Sequence, residues 1–125
     1  MIVGTGIDIV EVFRVKEAID KWGENFLAKV FTKSEIEYSN SRRFSYQHFA
    51  ARFAVKEAVI KAFGEPSKFP IKLPDIEVMN DKEGKPVVKF HNDALVAKKL
   101  KKVKDIVVSM SHSKDYAVAH AILLK

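Results

Sequence analysis

Residues 52–64 read RFAVKEAVIKAFG. This stretch decides the fold class, because it forms the centre of one long helix. Over residues 46–63 apolar side chains recur at Phe49, Ala50, Phe53, Ala54 and Ile60, the spacing of one helix face. Gly64 follows as a glycine stop. Two charges interrupt the pattern. Glu57 stands four residues after Phe53 and Lys61 four after Glu57, so both extend the apolar stripe; Arg52 and Lys56 make an adjacent one. A buried carboxylate costs on the order of several kcal/mol unless it is paired or bound to a metal. Two readings are open here. One is an i,i+4 ion pair on a wet edge, contributing ~0.2–0.5 kcal/mol. The other is a pair of groups aimed at a ligand.

Working outward, residues 2–10 (IVGTGIDIV) are β-branched and apolar, a strand. Val12, Val15, Ala18 and Ile19 put residues 11–21 in a helix, which Trp22-Gly23 ends. Residues 24–31 make a second short helix. Thr32, with Glu35 three residues on, opens a third as a capping box. Residues 39–45 (SNSRRFS) read as a loop, and prolines 66, 70 and 74 mark an irregular connection. Strands follow at 75–80 and 86–91, joined by a turn at Gly84. A helix over 92–103 is capped by Asn92, and a hairpin over 106–124 turns at Ser113-Lys114-Asp115. No repeat or linker divides the chain. The expectation is one α+β domain over residues 1–125, an antiparallel sheet packed on a long central helix.

The chain has 125 residues, 47% hydrophobic and 30% charged, ordinary globular proportions. It has no cysteine, which excludes disulfides, thiol catalysis and thiolate metal sites. No apolar run approaches the ~20 residues of a membrane span. The first residues lack the pattern of a signal peptide. Membrane association is not expected, and a cytoplasmic location is. The net charge of +6 attracts anions: nucleic acid, phosphorylated small molecules or an acidic protein.

Asp8 is a second carboxylate in an apolar setting. It points away from Ile7 and Ile9, between Gly4 and Gly6 and the next helix, where glycines leave space for a close approach. It either caps that helix or joins Glu57 in a hard-cation site, since Mg²⁺ is commonly held by two carboxylates, waters and substrate phosphates. A third cluster is His112 with Ser111, Ser113 and Lys114. Ile106, Val108, Met110 and His112 share one strand face, and a histidine at a strand end is either a solvated tip or an anion or base site.

Three segments in order, GTGIDIVEVFRV, RFAVKEAVIKAFG and SMSHSKDYAVA, together with VFTKSE and the EGKP turn, resemble the holo-[acyl-carrier-protein] synthase family. These are small, single-domain 4′-phosphopantetheinyl transferases, and the resemblance spans essentially the whole chain. It implies transfer of the phosphopantetheine arm of coenzyme A to a serine of acyl carrier protein. Adenosine 3′,5′-bisphosphate leaves, Mg²⁺ is the cofactor, and the product supports fatty acid biosynthesis. It also implies a homotrimer with active sites at subunit interfaces. Asp8 and Glu57 match the metal ligands, and Lys61 the lysine on the coenzyme A phosphates. His112 matches a histidine near the nucleotide. Arg52 and the turn Gly84-Lys85-Pro86 match positions lining the coenzyme A pocket. Arg14 matches the arginine of the carrier-binding helix, to which Lys16 and Lys21 add charge, while Glu17 and Asp20 oppose it. Arg42 and Arg43 are a further basic pair. For the base that takes the serine proton, the candidates are a metal-ordered water, Glu35, or Glu57 acting through water.

A small basic nucleic-acid-binding protein is the alternative, carried by charge and by KKLKK at 98–102. Aromatic residues do not interleave with that run, so nucleic acid is not the expected partner.

Overall fold

The computed structural model describes residues 1–64 and 70–125; Pro66 therefore lies outside the described residues. The elements are β1 (Ile2–Glu11), α1 (Val12–Trp22), α2 (Glu24–Val30), α3 (Lys33–Ser41), α4 (Ser45–Phe63), a 3₁₀ turn at Leu73–Asp75, β2 (Ile76–Asn80), β3 (Pro86–Phe90), α5 (Asn92–Leu100), β4 (Asp105–His112) and β5 (Tyr116–Leu124). The strands make two antiparallel sheets, a three-stranded one ordered β1-β5-β4 and the separate hairpin β2-β3.

α4 is the spine. Ala54, Val55, Ala58, Val59, Ala62 and Phe63 bury against Val108, Ala119, Ala121 and Leu123 of the large sheet and Ile76, Val78 and Phe90 of the hairpin. Its N-terminal half packs Phe49, Ala50 and Ala51 with Val12, Val15, Val30 and Phe31. A helix covered on so many sides has no single apolar stripe. The stripe expected from the sequence is therefore rotated. Phe53, Glu57 and Ile60 lie on the half-buried edge and Lys61 is exposed, whereas Arg52 and Lys56 are fully buried.

The approach of β1 to α4 is set by two glycines. A Cβ at Gly4 would fall 2.1 Å from the Ala62 carbonyl oxygen, and one at Gly6 1.9 Å from that of Ala58. Only hydrogens on both residues let the strand lie on the helix backbone. The space that the sequence left open there belongs to the helix.

Two boundaries differ from expectation. α3 runs on to Ser41, because Ser39 is completely buried and packing overrides the poor helix propensity of Ser and Asn. Only Arg42-Arg43-Phe44 then separate it from α4, with Phe44 left-handed at φ 59°. Asn92 does not cap α5. His91 holds the extended cap position, and the Asn92 amide donates to Asp75 Oδ1 at 3.0 Å.

Candidate active site

Gly4, Gly6 and Asp8 alternate along the face of β1 that meets α4. The strand thus carries Asp8 to the helix edge that bears Glu57 and Lys61. Lys61 Nζ donates to Asp8 Oδ1 at 2.9 Å and to the Ile7 carbonyl at 3.0 Å. The lysine turns to the strand, not to Glu57 one turn away, and the i,i+4 pair does not form. Asp8 is not a helix cap either. Glu11 holds that position without a side-chain cap.

Asp8 and Glu57 line one cavity of about 470 Å³ with Ile9, Glu11, Arg14 and Tyr116. Burial pushes the Glu57 carboxyl above its ordinary range, the negative charge of Asp8 pushes it further, and Lys61 pulls it back in part. A half-buried carboxylate facing a second one is a place where positive charge is wanted. Their donor set, hard oxygens only, fits Mg²⁺. Among the described residues no third His, Asp or Glu joins a metal cluster, so a cation held here would take its remaining ligands from water and substrate oxygens.

Arg52 and His112 sit in a second cluster. Neither lines the Asp8–Glu57 cavity. The Arg52 guanidinium lies 4.1 Å from the Tyr38 ring centre and donates to Asn80 Oδ1 at 3.0 Å. Its Nε and Nη1 are buried without a partner among the described residues, and such donors suit an anion. His112 Nδ1 is 2.9 Å from Gln47 Oε1. Gly84-Lys85-Pro86 closes the β2-β3 turn, where Gly84 takes φ 84° and Asp81 Oδ1 accepts from the Lys85 amide at 2.9 Å. On α1, Arg14 is exposed beside Glu11, Lys16 pairs with Asp20 at 2.7 Å, and Lys21 lies 5.0 Å from the Trp22 ring.

Glu35 is in the core. It is 1% exposed, and its Oε1 accepts from Lys56 Nζ and the Thr32 amide, both at 2.8 Å, while Oε2 accepts from the Val78 amide at 2.8 Å. Lys56 also donates to the carbonyls of Leu73 and Ile76. A carboxylate so enclosed has no access to a substrate proton. The pair ties α3, α4 and β2 together instead.

Sequence reasoning also missed Tyr38 and Asn80 on Arg52, and Gln47 and His48 on His112. His48 precedes Arg52 by four residues, one helical turn, which was the available signal.

Residues 4–121 match the family model of the 4′-phosphopantetheinyl transferase superfamily. The holo-[acyl-carrier-protein] synthase of Clostridium tetani is 44% identical over 125 residues, 98% of this chain and 96% of that one.

The chain belongs to the 4′-phosphopantetheinyl transferase superfamily.

Solved structures agree with that assignment. The holo-[acyl-carrier-protein] synthase of Neisseria meningitidis matches with a TM-score of 0.90 at 27% identity, covering 100% of both chains. That of Bacillus anthracis, solved with coenzyme A (3′,5′-ADP), matches at 0.79 with 34% identity, covering 98% of this chain and 96% of that one. For a transferase of this superfamily the nucleic-acid alternative loses its support. Lys98 and Lys99 are the basic last turn of α5, favourable at a helix C-terminus.

Proposed function

We propose that this chain transfers the 4′-phosphopantetheine arm of coenzyme A to a serine of apo acyl carrier protein, releasing adenosine 3′,5′-bisphosphate. One observation carries the reading: Asp8 meets Glu57 and Lys61, 49 and 53 residues further along the chain, beside one cavity. Attack of the serine oxygen on the β-phosphorus forms one P–O bond and breaks the pyrophosphate bridge. The charge that builds on the phosphates requires positive neighbours. Asp8 and Glu57 would hold Mg²⁺, which supplies charge neutralisation on the pyrophosphate when bound. Lys61 is the protein's own cation there and would exchange part of its contact with Asp8 for a phosphate oxygen.

The serine proton needs an acceptor. Glu35 is enclosed in the core, so the carboxyl route would run through a water to Glu57. His112 would bind the nucleotide end, with Lys85 and its turn beside it, and Arg52, as buried as Glu35, would support that subsite from behind through Tyr38 and Asn80. Exposed Arg14, with Lys16 and Lys21, would steer an acidic carrier to the mouth of the cavity. Asp20 reduces the contribution of Lys16.

The reading includes a homotrimer with interfacial sites. Ile7 and Ile9, 63% and 67% exposed, share the outer face of the large sheet with Val107 and Val118. The apolar middle of this face, with His120 among it and Glu11 and Asp105 at its ends, suits further copies of the same chain. Since Arg52, Lys85 and His112 do not line the Asp8–Glu57 cavity, a neighbouring copy could complete it. The reaction would support fatty acid biosynthesis in the cytoplasm.

The test is mass spectrometry of an apo acyl carrier protein incubated with this protein, coenzyme A and Mg²⁺. A gain of one phosphopantetheine arm, lost with Asp8→Asn or Glu57→Gln, is expected. An unmodified carrier would sink the proposal.

A further inference from the structure

His48 of α4 and His112 at the end of β4 meet edge to face, with ring centroids 4.9 Å apart. On its other side His48 makes a second edge contact, 5.9 Å from Tyr38. Tyr38 is in turn covered by Arg52 at 4.1 Å and by Arg42 at 5.5 Å. The rings form one continuous stack from the β4 end through α4 to α3. Gln47, next to His48, places its amide Oε1 2.9 Å from His112 Nδ1. An amide oxygen only accepts, so Nδ1 carries a proton and Nε2 is the position left for another partner.

We propose that His48 is a positioning residue for His112. Its ring buttresses one side of the His112 imidazole while Gln47 fixes Nδ1, so that His112 presents its Nε2 edge as a donor to an anion. This rests on the coenzyme A reading, which supplies the anion as a phosphate of the nucleotide.

The surroundings of the pair point the same way. The groups that face His48 are Tyr38 on α3, Arg42 just after it, Gln47 and Arg52 on α4, and His112 on β4. Burial lowers the proton affinity of His48 first, and the charges of His112, Arg52 and Arg42 lower it further. Two histidine charges this close disfavour each other. Of the two rings His48 is the more enclosed and His112 the more exposed.

Three variants separate this role from simple packing. His48→Phe keeps a ring that cannot charge, His48→Ala removes the buttress, and His48→Lys puts a permanent charge beside His112. The readouts are the NMR titration of His112 in ligand-free protein, and kcat and KM for coenzyme A across pH 5.5–8.5. His48→Phe is expected to retain most of the coenzyme affinity. His48→Ala should raise KM several-fold with kcat little changed. His48→Lys should move the His112 midpoint down by about half a pH unit or more, an approximately three-fold change in charged fraction, and raise KM for coenzyme A accordingly. If Lys at position 48 does not fold, His112→Gln gives the converse test: the His48 midpoint must rise once its neighbour is gone. An unmoved titration in these variants, or a His48→Phe variant as weak as His48→Ala, overturns the proposal. A titration that moves as expected in a protein that binds no coenzyme A overturns the coenzyme reading alone.

Discussion

Lys61 Nζ lies 2.9 Å from Asp8 Oδ1, joining the exposed edge of α4 to the middle of β1 beside the cavity that Glu57 also lines. The lysine is about half exposed, and a solvent-exposed pair contributes about 0–1 kcal/mol to folding. Its value must lie elsewhere. Lys61→Met should therefore unfold within about 1 kcal/mol of the parent while phosphopantetheine transfer falls about 10²–10³-fold, the range for losing one electrostatic stabiliser of a transition state. Urea melts and carrier-protein mass spectrometry check the two halves separately.

Glu57 and Asp8 pull stability and activity in opposite directions. Burial and the charge of Asp8 both disfavour ionised Glu57, with Lys61 compensating only in part. Glu57→Gln should raise the stability slightly, by about a few tenths of a kcal/mol once solvent screening is allowed for. The same variant should be inactive. The sign follows from linkage: a carboxyl whose folded-state proton affinity is raised withdraws stability as pH climbs through its unfolded and then its folded value. The gain should hence be present at pH 7 and fade toward pH 4. Calorimetry of both proteins at the two pH values decides it.

The buried pair Glu35–Lys56 should behave as a structural pin. Burial pushes the Lys56 proton affinity down, and Glu35 restores part of it. Breaking the pair on one side leaves a buried charge, which costs about 3–5 kcal/mol. Lys56→Met is expected to cost that much, and Glu35→Gln nearly as much, with strong coupling in the double variant. The fraction of Glu35→Gln that remains folded should turn over normally. A folded Glu35→Gln protein with a thousand-fold lower kcat would return Glu35 to the candidates for the base.

Gly6→Ala is the sharpest packing test. Its new Cβ would stand 1.9 Å from a backbone oxygen of α4, so strand and helix must part. The cost should exceed the ~1–3 kcal/mol typical of overpacking, because a backbone cannot rotate away as a side chain does. Gly23→Ala meets no neighbouring atom, and only its φ of 55° resists. It should cost about 1 kcal/mol. Denaturant midpoints compare them directly.

Glu77 sets an acid limit on the fold. Burial opposes its ionisation, yet hydrogen bonds from Ser34, Thr32 and His91 outweigh that and bring its pKa to about 2. Its contribution is complete above the ordinary glutamate range and is lost as pH falls from about 4.5 toward 2. Glu77→Gln should cost about 1–3 kcal/mol at pH 7, and the difference from the parent should close as pH approaches 2. Parallel urea titrations follow the convergence.

Much of this molecule was legible in the chain. The α4 glycine stop, the Thr32–Glu35 capping box, the hairpin turns and the face alternation of Val108 and Met110 all depend on neighbours within a few residues, so local spacing suffices to find them. Asp8 and Glu57 stood out because a carboxylate in an apolar pattern needs a reason. What spacing could not supply is the identity of the facing surface. The i,i+4 rule aligned Glu57 with Lys61 but could not say that β1 would lie against α4 and take the lysine for Asp8. Nor could it say that the burial of α4 on several sides would place Arg52 and Lys56 inside and leave Phe53 and Ile60 at the edge. Periodicity fixes where a side chain points around its own helix axis. Which element waits in that direction depends on glycines that admit a backbone, and on contacts such as His48 with His112, 64 residues apart, which only the folded chain brings together.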